Sequence, residues 1–312
     1  MGDDVGVGQP GIVNRFEDSR YRYVHPPDRP GIFGAGNAAE CDYLTVDGAV
    51  RIPWGGSPRP GDVERIRSLH LCPTPAQLRK PRLPAYLPSL VNLESLSVPA
   101  PLVPHLASGG VGGRLRTLTV HVDHRDPIPE EPLDAAAALP GLTALMWVSG
   151  ITTPRLPRIV DPLPPLEFLL TNVTGDPAVL RQVESLPTLR HLELIDSRNA
   201  DVFDHIRAPL RTLELSGTGR AFPIHRLSTV PTLEALRLNT VRTEIDCAVF
   251  ATLPELVDLR VLNCPRVVNV EALLDHPRLA SVSFLSSRNP FGKEGKALFK
   301  SRGFARLDID YS

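Results

Sequence analysis

Three groups of residues in this chain have the type and spacing to do chemistry. The first is Gly34-Ala35-Gly36-Asn37-Ala38-Ala39, whose glycines are spaced as in loops that let a backbone approach a pyrophosphate. Such a loop needs a buried strand before it and a helix after it, because the helix N-terminus holds the anion. Pro26, Pro27 and Pro30 stand where the strand belongs, and Glu40, Cys41 and Asp42 stand where the helix must begin. A loop explains the glycines better, and a nucleotide-dependent enzyme is the remotest reading. The second group, His121, Asp123, His124 and Asp126, contains metal-ligand types at a strand end. Alternation along a strand does not bring these side chains to one point, and an exposed polar loop accounts for them. The third is the cysteines, Cys41, Cys72, Cys247 and Cys264. They are too few and too scattered for a disulfide framework or a Cys-x-x-Cys zinc site, so they read as reduced, buried thiols. No Gly-x-Ser-x-Gly elbow, His-Glu-x-x-His or phosphate-binding lysine loop occurs. No catalytic residue, metal ligand or cofactor is assigned.

Composition narrows the partner. The 34 basic and 35 acidic residues leave a formal charge of −1, which gives no field to draw the chain to nucleic acid or to an anionic membrane. Neither is expected as a partner. Met1 is followed by Gly2, Asp3 and Asp4 rather than by a basic and then an apolar region, so the expected location is cytoplasmic. No apolar run approaches the roughly 18 residues of a spanning helix. The four lysines (Lys80, Lys293, Lys296 and Lys300) are heavily outnumbered by arginine, and the 33 prolines fit the same bias, that of a GC-rich bacterial genome.

What must position any site is a repeat. The pattern Leu-x-x-Leu-x-Leu, with conservative swaps, starts at Cys41, Ile66, Leu93, Leu115, Leu142, Leu166, Leu189, Leu210, Leu233, Leu256, Leu279 and Phe304. The starts from Leu210 to Leu279 are each 23 residues apart. Fourth and sixth positions share one face of a strand, and that face is the core. One unit cannot bury its leucines alone; stacked neighbours at about 4.8 Å can.

On these residues, above all Leu189–Leu194, Leu210–Leu215, Leu233–Leu238 and Leu256–Val261, the chain resembles the leucine-rich-repeat family over roughly residues 41 to 312. The resemblance implies an α/β solenoid, a horseshoe with a parallel concave sheet and a mixed helical and irregular convex face. Many family members carry an asparagine at the ninth position. This chain has Thr74, Thr174, Ser197, Thr218, Cys264 and Ser287 there, whose hydroxyls and thiol can satisfy some of the same backbone groups.

Along the convex side, 176–186, 247–253, 270–275 and 293–302 read as helical, mainly in the C-terminal half, with Asp176-Pro177 a cap and first turn. The stretch Pro154–Pro165 is too proline-rich for helix, and Ser108–Gly113 reads as a flexible insertion. Residues 1–40 are expected to be poorly ordered or extended, 41–62 to form a hairpin cap turning at Asp47-Gly48, and 63–312 to form the solenoid. The helix-like Lys293–Arg302 and the strand Arg306–Tyr311 close its C-terminal end.

Period-two logic also writes out the concave face. Its third and fifth positions are small and polar in the first repeats, then apolar at Met146, Phe168 and Leu170 beside Val148 and Ile195, then charged at Glu193, Glu214, Arg237 and Arg260. An apolar patch with a charged border fits a protein-binding surface. The expected function is a non-enzymatic interaction module holding a protein or peptide on Met146, Phe168, Leu170, His191, Glu193, Glu214, Arg237 and Arg260. The alternative is an inhibitor or immunity protein occluding a partner enzyme, a role that the resemblance implies as readily as a scaffold. Packing of convex loops over the apolar residues, and pairing of Glu214 with Arg237 across adjacent strands, would account for the same residues without a partner.

Overall fold

The computed structural model describes residues 44–46, 49–122, 131–149, 160–172, 177–196, 200–291 and 294–310. Residues 1–40 with their glycine loop, the Asp47-Gly48 turn, Asp123, His124, Asp126, Asp176 and Cys41 lie outside that set. The chain divides into two compact units between Leu210 and Arg211.

The N-terminal unit starts with a hairpin, β1 (Leu44–Val46) and β2 (Ala49–Arg51), paired antiparallel with Thr45 opposite Val50. β2 meets β3 (Ser68–His70) in parallel through Val50 and Leu69. From there β4 (Ser95–Pro99), β5 (Thr117–Val122), β6 (Ala144–Ser149), β7 (Phe168–Thr171) and β8 (His191–Ile195) add in chain order, each parallel to the last. The C-terminal unit repeats this with β9 (Thr212–Ser216), β10 (Ala235–Asn239), β12 (Asp258–Leu262), β14 (Ser281–Leu285) and β15 (Arg306–Asp310). Two short strands, β11 (Ile245–Asp246) and β13 (Val267–Val268), form a separate parallel pair.

The register follows from the leucines. Fourth positions stand opposite one another as Leu69, Leu96, Leu118, Leu145, Leu169 and Leu192 in one unit, and as Leu213, Leu236, Leu259, Val282 and Leu307 in the other. All but Leu307 are buried. A buried leucine contributes roughly 1.5–3 kcal/mol, realised only when the neighbouring repeat covers it. A one-residue slip would turn every one of them outward. Repeat spacing and parallel in-register strands make this an α/β leucine-rich-repeat solenoid fold.

Past β8, β9, β10, β12 and β14 the chain leaves the sheet by one device. The eighth motif residue takes a left-handed backbone at Asp196 (φ 50°), Gly217 (71°), Thr240 (55°), Asn263 (52°) and Ser286 (50°). In the C-terminal unit its N–H bonds the last carbonyl of the next strand, as Thr240 N–H does to Leu262 O at 2.9 Å and Asn263 N–H to Leu285 O at 3.0 Å. The ladder gains one bond and the chain turns out toward the convex side.

Helices α3 (Pro177–Glu184), α5 (Cys247–Ala251) and α6 (Gly295–Arg302) and a 3₁₀ turn at Val270–Leu273 lie where the sequence predicts helix. Helical turns are not concentrated in the C-terminal half, however. α1 (Pro75–Leu78), α2 (Ala135–Ala138), α4 (Val202–His205) and 3₁₀ turns at Leu87–Ser89, Ala100–Ser108 and Ile224–Thr229 also cross the convex side. These are one to three turns long, too short to show a helical period. Local chemistry closes them instead: Thr74 and Gln77 form a reciprocal cap on α1, and Asp134 accepts from Ala137 N–H at 3.0 Å on α2.

The insertion expected at Ser108–Gly113 is packed, not loose. Val111 is fully buried, and a Cβ on Gly112 would lie 2.0 Å from Ala138 O, so glycine there permits close approach of two convex segments. Of the proline-rich 154–165, the described part forms no helix and makes a single parallel bridge from Val160 to Leu133. At the C-terminal end Phe284, Phe291 and Phe299 pack edge to face, and Phe304 stacks on Phe299 at 5.6 Å, closing the core under β15.

Thr240 is β-branched in a conformation that costs L-residues about 1–2 kcal/mol, while glycine loses roughly 0.5–1 kcal/mol in chain entropy. Thr240→Gly is therefore expected to raise stability by about 0.5–1 kcal/mol, read as a higher urea midpoint with unchanged slope. A lower midpoint would refute the strain.

Candidate functional site

Outward side chains alternate with the buried leucines, so register sets their neighbours. In the N-terminal unit Phe168 stands between Ala144 and His191, and Leu170 between Met146 and Glu193. Phe168 and Leu170 retain only 4% and 6% of their surface, while Met146, His191 and Ile195 are half-buried. Ala144, Phe168 and Leu170 form a small core of their own on which Met146 and Ile195 pack. The apolar residues thus come together, with Phe168 and Leu170 as a covered floor and Met146, Ile195 and His191 as the accessible margin. Glu193 is buried as well.

Earlier in the same unit three adjacent strands bring together His70, Ser97 and His121. Ser97 Oγ lies 2.8 Å from His70 Nδ1 and within hydrogen-bond reach of His121 Nε2, with the imidazole centroids 5.2 Å apart. A hydroxyl has one proton, so it donates to one ring and accepts an N–H from the other. Both histidines are readable as outward-row or strand-end residues. Their convergence on one hydroxyl is not, because it spans repeats of unequal length. Among the described residues no group of three histidine, cysteine or carboxylate side chains is placed to hold a metal.

The C-terminal unit's face is charged and internally paired. Arg237 reaches Glu214 across adjacent strands at 3.5 Å, and Ser216 Oγ donates to the other carboxylate oxygen of Glu214 at 3.3 Å. Arg260 Nε lies 3.4 Å from Asp258 on the same strand, with both side chains almost wholly buried. Ser283 Oγ donates to Asp308 at 3.2 Å, and Arg306 pairs with Asp308 at 2.6 Å. Glu214 and Arg260 are buried, whereas the Arg237 side chain keeps 26% of its surface. One carboxylate oxygen of Asp258 has no hydrogen-bond partner, which makes its arginine neighbour the more important.

Two bracing groups carry no repeat signature. His276, 2% exposed, has its Nε2 2.9 Å from Leu253 O, while its Nδ1 accepts from Leu279 N–H at 3.0 Å. That fixes one neutral tautomer bridging two repeats. The ninth-position Ser287 hydroxyl accepts from Cys264 N–H at 3.1 Å, the backbone service expected of hydroxyls in place of asparagine.

No protein-family model and no curated protein matches the chain. Among solved structures it is similar to TLR13 in complex with ssRNA13, at 18% identity over 80% of this chain and 33% of that one, TM-score 0.43. It is also similar to a leucine-rich-repeat protein of Leptospira interrogans, at 15% identity over 80% and 68%, TM-score 0.43. Internalin C2 of Listeria monocytogenes aligns at 15% identity over 73% and 83%, TM-score 0.34. The chain spans about a third of the TLR13 chain, 33% of its length, and an equal 33% of Toll. No helix among the described residues is long and apolar enough to cross a membrane.

Two outcomes test these placements. Arg260→Met is expected to cost about 3–5 kcal/mol, because it strands the Asp258 carboxylate in a buried site. Adding Asp258→Asn should restore at least half, as read by urea unfolding; no recovery would mean the pair is not coupled. The thiols divide by burial. Burial pushes Cys264 up to about 11 and raises Cys247 further, while at exposed Cys72 the rise is partly offset by Arg51. Cys72 is therefore not the buried thiol that the sequence predicts. In the native protein at mildly alkaline pH an alkylating reagent should modify Cys72, leaving Cys247 and Cys264 for the unfolded chain; peptide mapping that finds either of them labelled as fast would contradict this.

Proposed function

We propose that this chain is a non-enzymatic interaction module that binds a protein or peptide on the outward face of its parallel sheet. The observation that carries the reading is the covered apolar floor of Phe168 and Leu170 with Met146, Ile195 and His191 at its accessible margin. The floor, held in register on consecutive strands, braces the half-buried Met146 and Ile195 that pack on it, so little conformational freedom is lost on binding. Apolar contact at the centre with charge at the border is the usual anatomy of a protein interface.

The charged side chains serve this reading differently. Glu214 and Arg260 are held within the sheet and shape the face. Arg237 keeps exposed surface and can reach a partner, with Glu214 as its anchor. The near balance of 34 basic and 35 acidic residues favours a protein or peptide over a polyanion, whose binding would rest on net positive field. Recognition would then depend on shape and local pairing and weakly on salt.

Substitutions at the margin test the proposal without opening the floor. Wild type, Met146→Asp/His191→Asp and a control, Val91→Asp, at a side chain 56% exposed away from the outward rows, would each be used to co-purify partners from the native cell. Loss of a partner in the double variant alone is expected, with matching circular dichroism for all three. Equal recovery by all three would remove the outward face as the binding site.

A further inference from the structure

A second concavity lies away from the outward rows just described. It sits in the N-terminal unit between the loop after β2 and the segment that leads into the 3₁₀ turn Leu87–Ser89. Its volume is about 790 Å³, and Trp54, Pro58, Pro60, Pro84 and Tyr86 line it together with Arg82. That volume is in the range of sites that enclose a ligand, roughly 300–1,000 Å³.

The walls combine flat aromatic and prolyl faces with hydrogen-bond donors. Trp54 is half-buried and Arg82 exposed. Neither has a hydrogen-bond or ion-pair partner among the described residues. The indole offers only an N–H and the guanidinium only N–H groups. The Ser89 hydroxyl, which also lines the cavity, already donates to Tyr86 O at 2.6 Å. Among the described residues no carboxylate lines the cavity, and Arg82 carries the one full charge on its wall.

A ligand that fits must therefore accept hydrogen bonds, present flat apolar rings and carry negative charge. A polyproline II segment meets the first two conditions. It has no internal hydrogen bonds, so its carbonyls are open acceptors, and its prolines contribute no N–H that would need a partner. Its rings pack on aromatic and prolyl surfaces, and its preset backbone loses little entropy on docking. The Arg82 charge supplies the third condition. We infer that this cavity is a docking groove for an extended proline-rich peptide segment bearing an acidic side chain. Trp54 N–H meets a backbone carbonyl of that segment, and Arg82 meets its carboxylate.

The chain has two tryptophans, and Trp147 is 1% exposed, so a change in intrinsic fluorescence on peptide addition reports Trp54. The full chain would be titrated with a synthetic proline-rich peptide containing one glutamate, with its lysine counterpart, and with an alanine-rich peptide containing the same glutamate. A saturable shift is expected with the first, about fivefold weaker binding of the second, in line with one exposed ion pair, and none with the third. Arg82→Glu should reverse the glutamate-over-lysine preference, and calorimetry of Trp54→Phe should show weakened binding. The proposal fails if the glutamate peptide gives no saturable response up to millimolar concentration, or if glutamate and lysine peptides bind equally. It also fails if the response survives in Trp54→Phe, which places binding elsewhere, or if Trp54 responds to protein concentration alone, which makes a second copy the occupant. The peptide comparison on the unaltered chain decides the matter even if a variant misfolds.

Discussion

Everything in this fold depends on leucines that no single repeat can bury. Leu213, Leu236 and Leu259 have no exposed surface, and each is covered by the equivalent residue of a neighbouring strand. The gain from burial is therefore shared between repeats, and it is realised only in one register. That constraint makes the strands parallel and evenly spaced. The first-position residues Leu210, Leu233 and Leu256, also fully buried, pin the entry to each strand in the same way.

Once the inward positions are committed, the outward ones are free to differ, and they do so in blocks. In the N-terminal unit consecutive strands pool apolar side chains into a minor core of Ala144, Phe168 and Leu170. In the C-terminal unit the outward rows pool charges, Glu214 with Arg237 across adjacent strands and Asp258 with Arg260 along one strand. Both outcomes follow from lateral neighbours lying about 4.8 Å apart, close enough for side chains to satisfy one another before any partner arrives. Such a face is stiff and preformed. Surface pairs between repeats, such as Arg211 with Glu234 at 2.8 Å and Arg266 with Glu244 at 2.7 Å, add register more than energy, since exposed pairs are worth about 1 kcal/mol at most.

The return path of each repeat has weaker constraints, and its variety shows it. After β8, β9, β10, β12 and β14 a left-handed residue at the eighth position takes the chain out of the sheet, but residues as unlike as Asp196, Gly217, Thr240, Asn263 and Ser286 serve there. Beyond it the chain crosses in a short α-helix, a 3₁₀ turn or an irregular stretch. Gaps between such segments are where concavities off the sheet arise, and the cavity walled by Trp54 and Tyr86 lies in one of them.

The sequence by itself determined the strands, their parallel order and which side chains face out, because a two-residue alternation nested in a repeat of about 23 residues leaves a single consistent register. It also named the residues of the candidate face, and Met146, Phe168 and Leu170 do come together. Tertiary structure alone decided how open each of them is: Phe168 became floor and Met146 margin, since burial depends on what neighbouring segments cover and not on strand parity. It also decided that Asp258 pairs with Arg260, and that His70, Ser97 and His121 meet. The histidine contacts join residues 24 and 27 positions apart in repeats of unequal length, where a shift of one side chain by an ångström separates a hydrogen bond from none, and no periodicity in the chain encodes that distance.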